Sequence, residues 1–258
     1  MPLAGALALA LAPSACSPPR PQSAEALVKR MSDRLSAAQS FSFNTQETHQ
    51  QRRGGTVREI SRSRAFLVRR PGSLSFRSTG GPLGGGSGTY DGQRFTLVWP
   101  DQKAYARVRM PATLDAALDR MAEHFNTPLP VGDLLYSSAY DALVSPHSSG
   151  RYAGRETLNG TQCDHVAFTH ARVDWELWVA VRGEPLPCRI RITTKGASGP
   201  LTSEVQFKDW NLQANLPADA FQAPVPADYE RIPVAAYAAP EEAAPPAATA
   251  APAPSGKP

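Results

Sequence analysis

The segment from Val173 to Thr194, VDWELWVAVRGEPLPCRIRITT, constrains the fold more than any other because its residues alternate with a period of two. Apolar residues at positions 173, 175, 177, 179 and 181 share one face of an extended strand, and acidic residues occupy the other face. A turn at Arg182–Pro185 leads into a second alternating run that contains Ile190 and Ile192. The pattern predicts an antiparallel hairpin with one apolar face, which another layer must cover.

The pairing of these strands depends on where the chain turns. A turn centred after Glu184 places Val179 opposite Ile190 and Leu177 opposite Ile192, so that apolar side chains meet on one face. The upstream run CDHVAFTH and the downstream run EVQFK alternate in the same way and predict flanking strands. The second half of the chain is therefore predicted to be an antiparallel meander.

The first half of the chain predicts a second set of strands. They begin at Ser40 and are separated by the turn sequences RRGG, RRPG, DGQR and PDQK. The glycine-rich run Gly80–Gly88 predicts a flexible loop; without a Lys-Ser/Thr ending and a following helix it does not match a phosphate-binding loop. The later strands of this set are predicted at Val57–Arg69, Leu74–Ser78, Arg94–Trp99 and Lys103–Met110.

Three segments have the spacing of helices. Ala24–Ala38 repeats apolar residues at helical intervals, Thr113–Phe125 begins with a threonine cap, and the proline-flanked segment Leu129–Leu143 predicts one or two short helical turns. A sheet with one apolar face needs such helices as a cover. The predicted fold class is α+β, mainly β: a curved, incomplete antiparallel β-barrel, or half-barrel, with helices covering its concave face.

The composition changes at both ends of the chain. Residues 1–23 combine an apolar Ala/Leu-rich run with a Pro-rich spacer and resemble a secretory or lipoprotein leader, although no positive charge precedes the apolar run. Residues 235–258 are almost wholly Ala, Pro and Glu and are predicted to be disordered. Residues 24–234 are predicted to form a single domain. No stretch approaches the ~18 to 20 apolar residues of a membrane-spanning helix.

Cys16 follows the sequence PSA, which resembles a bacterial lipobox. Pro13 stands where that pattern has an aliphatic residue, so lipidation of Cys16 and a cysteine in a discarded leader are both open. With lipidation, the resemblance and Ser17 favour the outer membrane. The sequence thus predicts a periplasmic protein that meets a membrane peripherally or through a lipid anchor.

No pattern of catalytic or metal-binding residues stands out. The five histidines form no HExxH motif, Thr89 interrupts a Gly-x-Ser-x-Gly pattern, and the pair Cys163 and His165 has no second pair at zinc-ligand spacing. Asp174 and Glu176 lie two residues apart on a strand, which is typical of a solvated face. We therefore expect no catalytic residues, no metal site and no cofactor.

Cys163 and Cys188 are expected to pair if the protein is exported. With Phe168 opposite Trp175, however, Cys163 lies opposite Ala180 and on the other face from Cys188, with a strand between them. A disulfide needs Cα atoms ~4.4 to 6.8 Å apart, which an ideal meander does not provide. A bulge at the preceding proline would bring them together, so the disulfide stays open.

The segment from Arg52 to Arg77 is strongly basic, with eight arginines against Glu59 alone. It lacks the stacking aromatics and the motifs of nucleic-acid binding, so no nucleic-acid partner is expected. Two interpretations remain: a surface for anionic lipid head groups, and a solvated strand face that arginines protect from edge aggregation. Trp178 lies on the polar face of its strand. This position predicts that it either belongs to a partner surface or is covered by the C-terminal part of the domain.

Three segments carry a resemblance to a known family: Asp174–Trp178 (DWELW), Glu184–Pro187 (EPLP) and Asp209–Asn211 (DWN). With the order of strands and helices around them, the chain from about Ala24 to Val234 resembles the periplasmic family called domain of unknown function 2092. That family is similar to the LolA/LolB lipoprotein-carrier superfamily. The resemblance implies a half-barrel with a hydrophobic cavity, in which carriers of the superfamily hold acyl chains.

Two hypotheses follow. The first is a non-enzymatic envelope protein, a carrier or sensor, that binds a lipid or acyl chain in the half-barrel. The second is a structural or scaffolding envelope module with a packed core and a protein partner. The residues expected to line the cavity or to pack the core are Phe43, Leu97, Trp99, Trp175, Leu177, Val179, Ile190, Ile192 and Phe207.

Overall fold

The computed structural model describes residues 23–82, 84–125 and 131–233. The predicted leader with Cys16 and the Ala/Pro-rich tail lie outside the described residues, so the leader, lipidation of Cys16 and disorder of the tail stay predictions. Within the described part of the chain, no helix is long and apolar enough to cross a membrane.

In the residues that the structure describes, twelve strands and four helices make up the fold, and a 3-10 turn at Pro100–Gln102 joins two of the strands. The helices are α1 (Ala24–Ser36), α2 (Leu114–Phe125), α3 (Gly132–Leu135) and α4 (Ala139–Leu143). The strands of the first half are β1 (Ser40–Arg53), β2 (Thr56–Arg69), β3 (Ser73–Gly80), β4 (Gly86–Tyr90), β5 (Arg94–Trp99) and β6 (Ala104–Arg109). Those of the second half are β7 (Ser149–Leu158), β8 (Thr161–Thr169), β9 (Val173–Ala180), β10 (Pro187–Thr194), β11 (Leu201–Asn211) and β12 (Glu230–Arg231).

All twelve strands belong to one sheet, in the order β12-β6-β5-β4-β3-β2-β1-β11-β10-β9-β8-β7. The sheet is curved and open, which confirms the predicted half-barrel. The two predicted sets of strands are joined by antiparallel pairing of β1 with β11, in which Thr45 lies opposite Phe207. The short β12 pairs in parallel with β6 and covers the outer edge of the sheet.

One face of the sheet, called here the concave face, carries the apolar residues and packs against the helices. The apolar residues of α1 alternate with exposed ones at helical spacing, and Leu27, Val28 and Met31 are buried in the same core as strand residues such as Phe41. The opposite face is called the convex face. The predicted cover of helices over an apolar sheet is therefore confirmed.

The helices are joined to one another by polar contacts. The Ser32 hydroxyl of α1 accepts a hydrogen bond of 2.9 Å from the Tyr140 backbone N–H of α4, and the Ser36 hydroxyl donates one of 2.5 Å to the Ser137 carbonyl. The Asp115 carboxylate of α2 accepts a bond of 2.9 Å from the Ser137 N–H. The cover is thus held together by hydrogen bonds but meets the sheet mainly through apolar side chains.

The predicted register of the β9–β10 hairpin was wrong by two residues. Ile190 lies opposite Leu177, and Ile192 lies opposite Trp175. The turn is centred earlier than expected, with Gly183 at a φ of 73° that favours glycine, and Pro187 lies opposite Val179. The bulge between Pro187 and Arg189 takes back one residue of this displacement, which leaves a net shift of two. Since the shift is even, every apolar side chain stays on the predicted face. The register of β8 with β9, with Phe168 opposite Trp175, is confirmed.

The predicted loop Gly80–Gly88 was wrong at both ends, because Gly80 belongs to strand β3 and Gly86 to Gly88 belong to strand β4. The Phe76 ring of β3 explains why glycine stands there. A Cβ atom at Gly88 would lie 2.3 Å from the Phe76 ring, so only a residue without a side chain leaves room for it. The glycines that suggested flexibility therefore permit close packing in a strand.

Cys163 and Cys188 form a disulfide with Cα atoms 6.8 Å apart. Cys163 lies opposite Ala180, as the meander predicts. A β-bulge between Pro187 and Arg189 adds Cys188 as an extra residue in β10 and breaks the alternation that would direct it to the other face. The disulfide therefore joins β8 to β10 across the end of β9.

Removal of the disulfide should lower stability without changing the fold. The bond links residues 25 apart in sequence, and closing a loop of that size stabilises a protein by about 3 kcal/mol in the chain-entropy model. The variant in which Cys163 and Cys188 are both replaced by Ala should lose about that free energy of unfolding in urea titrations. As a control, both proteins are titrated under full reduction, which breaks the disulfide of the wild type. If the variant is still less stable than the wild type by the same free energy, the disulfide is not the cause of the loss.

Candidate functional site

The residues predicted to line the cavity all lie on the concave side of the sheet. Phe43, Trp175, Leu177, Val179, Ile190 and Phe207 are buried, whereas Leu97, Trp99 and Ile192 are half-buried. Leu97 and Ile192 pack at the margin of the core, and the Trp99 indole lies over Gly86. The structure therefore brings these residues to one surface, most of which the protein's own helices fill.

An aromatic ladder crosses this surface from strand to strand. The ring centroids of Phe43 and Phe66 are 4.8 Å apart, those of Phe66 and Phe76 are 5.6 Å apart, and those of Phe76 and Phe95 are 6.4 Å apart. These distances are typical of favourable aromatic pairs. Phe66 and Phe76 were not among the predicted residues, although the alternation of their strands carries the same signal as that of Phe43.

Trp210 was also missed, and here alternation gives the wrong answer. Counting by two from Phe207 places Trp210 on the convex face. Asp209 adopts a φ of 56° and the register of β11 with β1 shifts nearby, so the chain turns the indole to the concave face. There it stacks on Phe43 at 4.4 Å and donates a hydrogen bond of 3.0 Å to the Pro187 carbonyl.

The concave face changes from apolar to charged along the β1–β2 hairpin. The pair Phe43 and Phe66 is followed by Thr45 opposite Arg64, and then by Glu47 opposite Arg62. Because residues two apart share a face, all of these side chains belong to the concave face. A surface with an aromatic part beside a cationic part results.

Glu47 is the centre of a buried polar group, the Glu47 cluster, which also contains Thr45, His49 and Arg64. The Glu47 side chain is 0% exposed and that of Arg64 is 10% exposed. The carboxylate accepts hydrogen bonds from the Thr45 hydroxyl at 2.8 Å and from Arg64 Nη1 at 3.2 Å, and it lies 3.1 Å from His49 Nε2. Burial acts to raise the pKa of Glu47, but the contacts with His49, Arg64 and Thr45 outweigh burial and hold the pKa below its usual value.

The helical cover is tied to the sheet at two arginines. Arg70 donates hydrogen bonds of 3.0 Å to the carbonyls of Leu135 and Tyr136, at the end of α3. Arg34 of α1 forms an ion pair with Glu184 in the β9–β10 turn, with side chains 29% and 51% exposed. An exposed pair of this kind contributes only about 0–1 kcal/mol. Polar attachment of α1 at this turn is therefore weak.

The convex face carries Trp178, but as a buried residue. The residue is 2% exposed, so of the two predicted alternatives the partner surface was wrong and a covered tryptophan is what the structure has. The His165 ring stacks on the indole at 4.0 Å, and the guanidinium groups of Arg189 and Arg191 lie 4.8 and 5.5 Å from its centroid. His165 Nε2 lies 2.9 Å from the Glu176 carboxylate. The His165 ring and the two guanidinium groups, all on the adjacent strands, cover the indole.

A polar pocket of about 350 Å³ also opens along β1, β2, β3 and β11, and its lining includes Glu47, Arg62 and Gly80. Alternation places its seven other lining residues on the convex face: Gln46, Thr48, Ser61, Ser63, Thr79, Glu204 and Gln206. Among the described residues, no group of three or more His, Cys, Asp and Glu residues is placed to hold a metal ion. Because Cys163 is in the disulfide, it offers no free thiolate to a metal.

A model of one protein family covers most of the chain. The family is described as a predicted periplasmic protein, DUF2092, and its model matches residues 24–235. The chain belongs to this family. This match confirms the family resemblance predicted from the DWELW, EPLP and DWN segments. Among curated proteins, no match is found.

Several solved structures are similar in general shape. Lipoprotein LppX from Mycobacterium tuberculosis aligns at a TM-score of 0.48 and 14% identity, over 74% of this chain and 96% of that one. A LolA superfamily protein from Nitrosomonas europaea aligns at 0.40 and 12% identity, over 78% and 98%. The MucA/MucB complex of Pseudomonas aeruginosa aligns at 0.43 and 15% identity, over 81% and 63%. None of the three reaches a TM-score of 0.5, so their ligands and partners are not transferred to this chain.

Replacing Glu47 with Gln should destabilise the protein and make its free energy of unfolding less dependent on pH in the acid range. The variant leaves the charge of Arg64 buried and unpaired, which costs about 3 kcal/mol at neutral pH. Because the folded-state pKa of Glu47 lies below its ordinary value of 4.5, the wild type should lose this stabilisation as the pH falls below that value. Urea unfolding from pH 3 to pH 7 measures both effects. Glu59→Gln, on the exposed side of β2, is the matched control and should change neither.

Replacing Asp133 of α3 with Asn should stabilise the helical cover at neutral pH. Burial raises the pKa of Asp133 to about 6 from 3.8, so the wild type loses stability as the pH rises through this range. Asp133→Asn should gain up to about 3 kcal/mol at pH 8 and nothing below pH 4. Thermal unfolding at the two pH values tests this, with the exposed Asp141→Asn as the control. An equal gain at both pH values would rule out titration of Asp133 as the cause.

Proposed function

We propose that this protein is a non-enzymatic periplasmic protein that binds a lipid or an acyl chain between the concave face and the helical cover. The observation that carries the proposal is the aromatic ladder from Phe43 to Phe95, which continues over several strands of one surface. Short helices cover this surface rather than a second sheet. Displacement of a helix would offer an acyl chain the same contacts that the helix now makes.

Burial of the α1 side chains and burial of an acyl chain on the concave face would contribute similar free energies. Burying one large apolar side chain contributes about 1.5–3 kcal/mol, so the four buried side chains Leu27, Val28, Met31 and Leu35 of α1 contribute roughly 6–12 kcal/mol. An acyl chain of about sixteen CH₂ groups, at ~0.8 kcal/mol each, contributes about 13 kcal/mol. A chain of ordinary lipid length can therefore replace the contacts of one helix without unfolding the sheet.

The weak polar attachment of α1 supports such an opening. The exposed Arg34–Glu184 pair adds little to the free energy that holds the helix on the sheet. The hydrogen bonds of Ser32 and Ser36 instead connect α1 to the other helices. Movement of the helices as a group would keep these bonds and uncover the aromatic ladder, at the cost of the two hydrogen bonds that Arg70 donates to the end of α3.

A second candidate function is a structural or scaffolding envelope module that binds a protein partner. The observation that favours it is the burial of Phe43, Leu177 and Ile190 under the protein's own helices, because a packed core needs no ligand. The two candidates differ in what they predict for lipid. A carrier or sensor takes up an acyl chain, and a packed module does not.

A bulky residue at the margin of the core should block lipid uptake. Ile192 is half-buried on the concave face, and Thr193 is its neighbour on the convex face. We expect native mass spectrometry of protein from a bacterial periplasm to show co-purified lipid for the wild type and for Thr193→Trp. Ile192→Trp should reduce the lipid-bound fraction several-fold.

The same measurement separates the two candidates. If the wild type shows only the lipid-free mass, and keeps it after incubation with phospholipids and acylated peptides, the lipid-binding proposal fails and the scaffolding module stands. Equal losses of lipid in Ile192→Trp and Thr193→Trp would exclude the concave face as the binding surface.

A further inference from the structure

The charges on the concave face do not balance beside the aromatic ladder. Arg62 and Arg64 both lie on this face of β2, and Glu47 is the acidic residue that faces them on β1. The paired positions on the concave side of β3 are Ser78 and Gly80, which carry no charge. Two guanidinium groups therefore lie on this part of the face beside a single carboxylate.

Arg64 is the arginine that Glu47 neutralises. Its Nη1 lies 3.0 Å from Glu47 Oε2, and its side chain is nine-tenths buried. Burial lowers the pKa of Arg64; the Glu47 charge acts against this, and the nearby charge of Arg62 adds to the lowering. Like charges at close range disfavour each other, so an additional anion here would stabilise both arginines.

Arg62 has an unused donor. Its Nε is buried and has no hydrogen-bond partner among the described residues, and the same is true of the Nε of Arg64. Most buried polar atoms in proteins have a partner, so two such donors side by side indicate a place where an acceptor binds. A guanidinium group binds the oxygens of a carboxylate or a phosphate through parallel hydrogen bonds.

The cationic part of the surface touches the aromatic part. The Arg64 guanidinium lies 5.3 Å from the Phe76 ring centroid, and Phe76 packs on Phe66 within the aromatic ladder. An anion bound at Arg62 would therefore lie beside the aromatic ladder, the surface proposed to hold an acyl chain. The cationic and aromatic parts of the surface therefore match a ligand that has an anionic head group and an apolar tail.

We infer that the concave face binds an anionic amphiphile, with its carboxylate or phosphate head group at Arg62 and Arg64 and its acyl chain along Phe43, Phe66 and Phe76. This inference rests on the proposed function and adds the chemical class of the ligand. It also gives the arginines of the basic segment from Arg52 to Arg77 different roles. Arg62 and Arg64 are head-group residues, whereas Arg77 lies on the exposed convex face.

The test compares ligands that share one acyl chain and differ in the head group. Binding of oleate, oleoyl lysophosphatidic acid and monoolein to the full-length chain is measured by equilibrium dialysis below the micelle concentration. Inorganic phosphate serves as a head group without a tail. The two anionic lipids should bind at least about tenfold more tightly than monoolein, the effect of one charge-assisted hydrogen bond.

Variants at Arg62 assign the preference to this site. Arg62 was chosen because its removal, unlike that of Arg64, leaves no buried carboxylate unpaired. Arg62→Gln should bring the anionic lipids to within about twofold of monoolein and leave monoolein binding unchanged. Arg62→Lys should keep part of the preference. Arg77→Gln removes the same charge from the convex face and should behave as the wild type.

Each other outcome overturns a specific statement. Equal binding of oleate and monoolein to the wild type, which requires no variant to fold, overturns the head-group inference and leaves acyl binding intact. Equal losses in Arg62→Gln and Arg77→Gln also overturn it, since overall charge would then be the cause. Phosphate binding as tight as that of lysophosphatidic acid would indicate a free-anion site. If none of the three lipids binds, the proposed function itself fails.

Discussion

The pairing of β1 with β11 is the contact on which the rest of the structure depends. It joins residues about 160 positions apart, such as Thr45 and Phe207, and makes one sheet out of two sets of strands. Without it, each set would have an open edge and half of an apolar face too small to bury the helices. With it, Phe43 lies among aromatic residues from both halves of the chain, including Phe66 and Trp210.

Local departures from the regular pattern shape both faces of the sheet. Gly88 leaves space for the Phe76 ring, the irregularity at Asp209 turns Trp210 toward the helices, and the extra residue Cys188 brings its sulfur to Cys163. The changes at Asp209 and Cys188 are local breaks in alternation, whereas Gly88 keeps the regular register of β4. Bulges of this kind re-aim a side chain without disturbing the sheet as a whole.

Burial of the charges on the concave face costs hydration free energy. Glu47 and Arg64 lose most of their hydration, and a buried ion pair often contributes no more stability than apolar residues of the same size. Apolar side chains at these two positions would simply have extended the core. A charged group in this place is better explained by ligand recognition than by stability, which connects the fold to the proposed head-group site.

The sequence by itself determined which residues share a face wherever a strand is regular, because side chains alternate along such a strand whatever it pairs with. It therefore predicted the concave residues from Phe43 to Phe207, the helical cover, the half-barrel and the family. The tertiary structure alone decided the β9–β10 register, the disulfide, the burial of Trp178 and the Glu47 cluster. These depend on a positive φ at Gly183, on bulges, and on contacts between strands distant in sequence. Alternation within one strand contains no information about such contacts, since they exist only after the sheet has formed.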